Sequence, residues 1–351
     1  MILARGLDAV GTGRQIDLLA RGLAAAGREV HVATTTGGGS LAMRAAATGL
    51  PVHALGLRPV ADAATAVALC RLVGRLRPAT LIAFGRRQAW LAAATRWVAS
   101  GTRRVAHVAV PVRHRDGWPL ARMDRVVATS ETVAASCARA GVAAAQIGVI
   151  SPGIVAGERR FARPDVAARL GLDVGARWTL CVAPLVAESR LERLLWGIDQ
   201  LGVVCKGLQH VLVGAGPQLA RVQRRARVQE LAERLFMVPH SDVADELVAE
   251  AALVWQSGSI ACGGAILDAM PWGVPAVAVE SDAACQLVEH GVSGWLVPPL
   301  PESEFPRRAF TLLDDEGPRM RFGDAARERA ATVFPADRMI ARFVAEIDAL
   351  D

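Results

Sequence analysis

Short runs of β-branched and aliphatic residues alternate along the chain with longer Ala-, Leu- and Arg-rich stretches whose apolar positions recur at helical spacing. That is the pattern of βα units built on a parallel sheet. In Ile16-Asp17-Leu18-Leu19-Ala20-Arg21-Gly22-Leu23 the apolar positions share a helical face, Ala26-Gly27 closes the helix, and residues 29–34 follow as a strand. Further strands are predicted at 52–53, 80–84, 104–112, 125–129 and 147–150, most of them separated by helical segments. After Ser151-Pro152-Gly153 a charged, helix-breaking stretch runs to about Gly175, and the pattern then restarts. Strands are expected at 178–182, 210–213, 236–238, 253–255, 275–279 and 295–297. From Pro301 the chain is mostly helical, and its last helix, 335–350, has no strand after it. The expected fold is α/β: two Rossmann-like, doubly wound domains facing across a cleft. Their boundaries fall at 1–155 and 176–330, with a linker at 156–175 and a C-terminal helix within 331–351 that packs back toward the first domain. Ligands in such folds bind where the C-terminal ends of the strands open, so the site is expected in the cleft.

The length of 351 residues suits two domains, and 52% hydrophobic with 21% charged residues excludes disordered, collagen-like and coiled-coil chains. The net charge is +6 and the only lysine is Lys206, so nearly every basic residue is arginine. Read as a mild excess spread along the chain, with no tyrosine and abundant Ala, Val, Leu and Arg, this looks like a coding bias; a nucleic-acid partner is not expected. Six widely spaced cysteines without a CxxC support neither a zinc knuckle nor a disulfide framework. The N-terminal stretch meets Arg5 and Asp8 too early for a signal peptide, and no apolar run of about 18 residues predicts a membrane span. The expected location is cytoplasmic, with positive charge that permits peripheral contact with the inner membrane leaflet.

Two glycine turns raise the question of a dinucleotide. Gly11-Thr12-Gly13 continues into Arg14-Gln15-Ile16 and Gly214-Ala215-Gly216 into Pro217-Gln218-Leu219, so neither supplies the third glycine of the fingerprint. Gly263-Gly264-Ala265 either opens a helix whose amides hold a diphosphate or is a flexible turn. Asp268 lies about one turn further in, where a carboxylate either accepts from two ribose hydroxyls or merely favours the helix dipole. His240 and Asp242 contact a base or ribose, or only water. No Ser/His/Asp triad, paired-carboxylate site or metal spacing points to another reaction class, and neither cofactor nor metal is expected.

Taken in order, these segments resemble the group 1, or family 4, glycosyltransferases of the GT-B fold, nearly from end to end. In the first domain the stretch from Gly11-Thr12-Gly13-Arg14-Gln15 through Val30-His31-Val32 is similar to the family's glycine-rich loop, first helix and second strand. Val127-Ala128-Thr129-Ser130 and residues 147–153 resemble its "vvavS" strand and "vIpNG" hinge, with Pro152 in place of the Asn. In the second domain Val211-Leu212-Val213-Gly214-Ala215-Gly216-Pro217 resembles "lvivGdGp", and Pro239-His240-Ser241-Asp242-Val243 resembles a segment near the base. Residues 268–277 resemble "EAMAxGxPVV", and residues 288–297 resemble "vedGxtGxLV". The resemblance implies a retaining transfer from a nucleotide sugar. Gly214, Gly216, His240, Asp242, Gly263, Gly264, Ala265 and Asp268 would be on the donor side, and Gly11, Thr12 and Gly13 would line the acceptor side, the acceptor being a glycan or lipid-linked.

The departures are as informative. Ile260 and Asp268 occupy the positions of the family's two glutamates, so the sugar-side carboxylate is absent. Pro184 and Ser189 stand where the family's "GRLxxxKG" loop has its phosphate-binding Arg and Lys. Losing two charge-assisted contacts to a diphosphate, each about 1.5–3 kcal/mol, would slow transfer a hundredfold or more unless another cation substitutes. Arg190 is the best-placed substitute, with Arg193 one turn on; Arg86 and Arg87 follow a first-domain strand and are expected to project toward the cleft. His107 is the nearest counterpart of a family histidine that contacts the sugar, although it falls about three residues early. Three functions follow: an active glycosyltransferase, a catalytically inactive relative that binds a nucleotide sugar or a partner, and a nucleotide-sugar epimerase of the same architecture, which the motif order disfavours.

Overall fold

The computed structural model describes residues 1–7, 11–36, 42, 45–46, 49–56, 63–155, 161–238, 243–259 and 264–350. The chain divides into two compact units, Met1–Gly153 with Phe334–Asp351, and Ile154–Val333.

The first unit is built on seven parallel strands: β1 (Ile2–Ala4), β2 (Val32–Thr34), β3 (Val52–Ala54), β4 (Thr80–Phe84), β5 (Arg103–Val108), β6 (Arg125–Ala128) and β7 (Ile147–Val149). Their order is β3-β2-β1-β4-β5-β6-β7. The sequence pattern does not reveal β1, because the apolar run Met1-Ile2-Leu3-Ala4 is too short to show a period. It is nevertheless an interior strand, with Ile2 opposite Val32 on one side and Ile82 on the other, and all three of its residues are buried. β5 ends at Val108 rather than running on to Val112; Pro111 has no amide to continue a ladder, and the Val112 amide instead donates to Ser136 Oγ.

The last helix, Ala336–Asp348, belongs to this first unit and packs along the Thr12–Ala25 helix. Phe343, Met339 and Ile347 form its buried stripe. Its far end is fixed by Arg125, whose Nε and Nη2 donate to the two carboxylate oxygens of Glu346 at 2.5 and 3.0 Å, and Arg28 pairs with Asp348. At the other end the Gln15 side chain both donates to the Gly153 carbonyl and accepts from its amide, at 2.7 and 2.9 Å. Gly153 has no room for a side chain, since a methyl group there would lie 2.7 Å from Ala336 Cα.

The second unit has six parallel strands: β8 (Arg177–Val182), β9 (Leu208–Val213), β10 (Leu235–Val238), β11 (Leu253–Gln256), β12 (Ala276–Val279) and β13 (Gly294–Val297), ordered β10-β9-β8-β11-β12-β13. The Leu191–Val204 helix buries Leu191, Leu194, Leu195, Ile198 and Leu201, one stripe at helical spacing, against this sheet. Trp255 of β11 stacks on Phe305 with ring centroids 5.3 Å apart, joining the sheet to the Glu304–Asp314 helix.

The stretch read as a linker, 156–175, is structured where it is described. A helix spans Arg163–Leu170 and ends on Gly171 in the left-handed conformation. Arg163 ties it to the second unit: its guanidinium lies 3.7 Å over the Trp178 ring, and it donates to Glu250 and to the Ala176 carbonyl. Within a stretch expected to be a charged, helix-breaking linker, the charge of Arg163 serves packing.

Phe343→Ala removes the largest buried side chain of the last helix, and cavities of that kind cost about 3–5 kcal/mol. Urea unfolding should show that loss, and a change below about 1 kcal/mol would mean that the helix does not complete the first unit's core.

Candidate functional site

In the second sheet the strand order reverses between β8 and β11, and the crevice at the C-terminal ends of such a pair is where open α/β sheets bind ligands. The loops after these strands and after the neighbouring β9 carry many of the residues singled out from sequence, and their geometry follows from close backbone approach. A methyl group at Gly214 would overlap the Ala183 carbonyl oxygen, and one at Gly216 would overlap the backbone of Leu185. Freed of side chains, this turn lets the Leu185 amide donate to the Ala215 carbonyl and the Gln218 amide to the Leu185 carbonyl, both at 3.0 Å. Gly214 and Gly216 therefore set the path of the loop after β8.

That loop is in turn fastened to the loop after β11. Ser257 Oγ donates to the Ser189 carbonyl at 2.7 Å, and the Ser259 amide to the Glu188 carbonyl at 3.1 Å. Gly258 lies between them, where any side chain would collide with the Glu188 carbonyl. Ser189 is buried, and its hydroxyl is turned inward to donate to the Pro184 carbonyl at 2.6 Å. Neither Pro184 nor Ser189 therefore offers a phosphate a cation.

The two arginines proposed as substitutes behave differently. Arg193 is only 12% exposed and sews loops together, donating to the Ser257 carbonyl at 3.0 Å and the Pro299 carbonyl at 3.1 Å. Arg190 is 64% exposed, sits in the left-handed conformation with φ 49°, and has Glu192 at 3.8 Å as its nearest carboxylate. Both line a cavity of about 530 Å³ that also takes in Glu188, Ser259, Glu280 and Ser281. The last two escaped the sequence reading, although a Ser-Asp pair after an apolar run is an N-cap signal: Ser281 Oγ accepts the Ala284 amide.

Gly264, at φ 54°, leads into the Ala265–Ala269 helix. Asp268 is buried there and has an interaction partner within the protein. Gly263, Ile260, His240 and Asp242 lie outside the described residues.

In the first sheet the order reverses between β1 and β4. Gly11, with φ 62°, caps the helix in which Thr12 and Gly13 are the first residues, and Gly85, with φ 100°, turns the chain from β4 into the Arg86–Ala94 helix. Arg86 donates to Asp116 at 2.5 Å, whereas Arg87 is exposed. Burial pushes the Asp116 carboxyl up, but hydrogen bonds from Arg86 and the Arg113 amide, with the charges of Arg86 and Arg115, outweigh it and hold the group below its ordinary value.

His107 is not available to a sugar. It lies on β5 within the core, stacked on Phe84 at 4.3 Å and facing Phe343 at 6.0 Å, and burial pushes its pKa from 6.5 down to about 4. The sequence showed a histidine in the expected strand but not which face of the sheet it occupies. His210 in the second unit is a similar core histidine, paired through Nδ1 with Thr179 Oγ1 at 2.7 Å.

Among the described residues, no group of three or more His, Cys, Asp or Glu side chains is placed to hold a metal ion. Nor is any helix long and apolar enough to cross a membrane.

Two consecutive family models match the chain: that for Glycosyltransferase Family 4 over residues 10–157 and that for Glycosyl transferases group 1 over residues 176–315. Together they span most of it. The chain belongs to the group 1 glycosyltransferases. A curated relative, N-acetyl-alpha-D-glucosaminyl L-malate synthase of Bacillus anthracis, is 25% identical over 134 residues, which are 38% of this chain and 35% of that protein, so the match spans about a third of the relative. HepE of Anabaena, solved in complex with UDP-glucose, has a similar fold, with a TM-score of 0.81, 18% identity and 99% of each chain covered. So does sucrose-phosphate synthase from Thermosynechococcus elongatus, with a TM-score of 0.78, 17% identity and coverage of 99% of this chain and 98% of that one. The GT-B pattern of two Rossmann-like units expected from the sequence is the one found.

A histidine kept neutral by burial in the folded protein but free to protonate when unfolded makes stability depend on pH. The contribution of His107 is complete above 6.5 and is lost as pH falls toward about 4. His107→Leu, close in volume, should flatten the stability profile in that window by roughly 1 kcal/mol per pH unit. An unchanged slope in urea titrations across these pH values would show that His107 is not the neutral core residue described.

Proposed function

We propose that the protein is a retaining glycosyltransferase whose second unit binds a nucleotide-sugar donor and whose first unit receives a glycan or lipid-linked acceptor. The observation that carries this reading is the convergence of family segments on the strand ends beside the β8/β11 reversal: Gly214 and Gly216 after β9, the loop with Arg190 after β8, and Gly264 with Asp268 after β11. HepE of Anabaena, solved with UDP-glucose, supports the donor class. Asp268 is the assigned ribose acceptor, and the loop ending in Gly264 is assigned to the diphosphate.

In this mechanism the anomeric carbon loses the nucleoside diphosphate and gains the acceptor oxygen on the same face. The departing phosphate takes the acceptor's proton, so no separate protein base is required. Charge develops on the diphosphate as the bond breaks, and preorganised cations there lower the barrier. Arg190 supplies that charge in place of the missing loop cations, since Arg193 already holds two carbonyls. Arg86 and Arg87, after β4, are assigned to the acceptor side.

One observation favours a second reading, a catalytically inactive relative that only binds. The Ser189 hydroxyl, at the family's lysine position, is committed to the Pro184 carbonyl, and Pro184 stands at the arginine position.

Hydrolysis of UDP-glucose, GDP-mannose and ADP-glucose separates the two. With catalysis, one donor is cleaved and Arg190→Ala slows cleavage about 10–100-fold, the worth of one charge-assisted contact, with the unfolding midpoint unchanged. Unchanged turnover would remove Arg190 from the site. Binding of a donor without any cleavage by the unaltered protein would favour the inactive relative.

A further inference from the structure

The net charge is not spread evenly. Residues 86–122 hold eight arginines against a single acid, Asp116, a larger excess than the +6 of the whole chain. Asp116 is already paired with Arg86, and Arg104 is buried; the remaining arginines of the segment are at least partly exposed. The same segment carries all three exposed tryptophans among the chain's eight: Trp90 is 48% exposed, Trp118 49% and Trp97 95%.

Neither the position of these rings nor their exposure comes from a loose loop. Trp90 is on the Arg86–Ala94 helix and Trp118 on the Gly117–Leu120 helix, and their rings stack with centroids 4.7 Å apart. Arg122 lies 3.8 Å over Trp118 and donates to its carbonyl, while Arg96 reaches the Arg122 carbonyl. Behind Trp97, the buried Arg104 guanidinium donates to the carbonyls of Ala92, Ala99 and Thr102, pinning both sides of the turn that carries the indole. At helical spacing Arg87, Trp90, Ala94 and Trp97 share one exposed face.

We propose that this face of the first unit docks on an anionic lipid surface. Indole rings and arginine are the side chains that settle at the level of lipid headgroups, where an apolar ring and a polar edge are both satisfied. The exposed arginines tied to these rings, Arg87, Arg96 and Arg122, match phosphate-bearing headgroups. A second copy of the chain would bring arginine against arginine. A nucleic acid would need several open rings in a row to stack successive bases, but of the three only Trp97 stands open, since Trp90 and Arg122 both lie against the Trp118 ring. The inference goes beyond the transfer reaction and does not depend on it.

The test is flotation of the full chain with vesicles of phosphatidylcholine containing about a quarter phosphatidylglycerol, and with phosphatidylcholine alone. Binding is expected to the first and not the second, and to weaken with salt. Trp97→Ser, at a ring that touches little else, should weaken it about tenfold or more. Arg96→Ser should weaken it about fivefold, while Val228→Ser on the second unit should leave it unchanged. The proposal is overturned if the charged vesicles do not bind, if both vesicle types bind alike, or if Trp97→Ser binds as the unaltered protein does. Trp97-dependent binding of single-stranded DNA or Trp97-dependent dimerisation, without vesicle binding, would assign the face to that partner instead. Nucleotide binding measured on the same variants should not change, which keeps failure here distinct from failure of the transferase reading.

Discussion

In a parallel sheet each strand must be joined to the next by a crossover of fixed hand, so reversing the strand order leaves two neighbouring strands whose following helices part to opposite faces. In the second unit that pair is β8 and β11. Their C-terminal loops must meet without a helix between them, and three glycines permit it. Gly214 and Gly216 admit the loop after β8, and Gly258 lets the loop after β11 lie against Glu188 and Ser189. The site is a consequence of backbone pairing first and of side chains second.

That ordering explains how the loop after β8 keeps its shape while its residues differ from the family's. Pro184 and Ser189 form part of a hydrogen-bonded turn, and Arg193 braces it from below through Ser257 and Pro299. A phosphate-holding loop needs both a path and a charge. Here the path is fixed by glycines and carbonyls, and in the proposed role the charge falls to Arg190, the residue that closes the turn, whose left-handed backbone and exposed side chain set it apart.

Most strands were legible because parallel strands buried on both faces must be short, apolar and β-branched, as at Thr80–Phe84 and Ala276–Val279. β1 was not, because three residues in a row carry no periodicity; only its pairing with β2 and β4 reveals it. The helix at Arg163–Leu170 was hidden by its charge, since the stacking of Arg163 on Trp178 joins residues 15 positions apart in sequence. Gly214 and Gly216 were readable as close-approach residues, while the role of Arg193 was not, for its partners are carbonyls of distant loops. His107 was placed in the right strand and on a face that sequence could not choose. The basic face with Trp97 is invisible in the net charge of +6, because the excess of residues 86–122 is offset by acidic residues elsewhere in the chain.

If the loops after β8 and β11 form the proposed nucleotide site, the protein binds a free nucleoside diphosphate. Calorimetric titration of the intact protein with UDP, GDP and ADP tests it most directly. The account predicts that one of the three binds with a roughly micromolar Kd, and that Asp268→Ala weakens that binding. Absence of binding by all three nucleotides would contradict it.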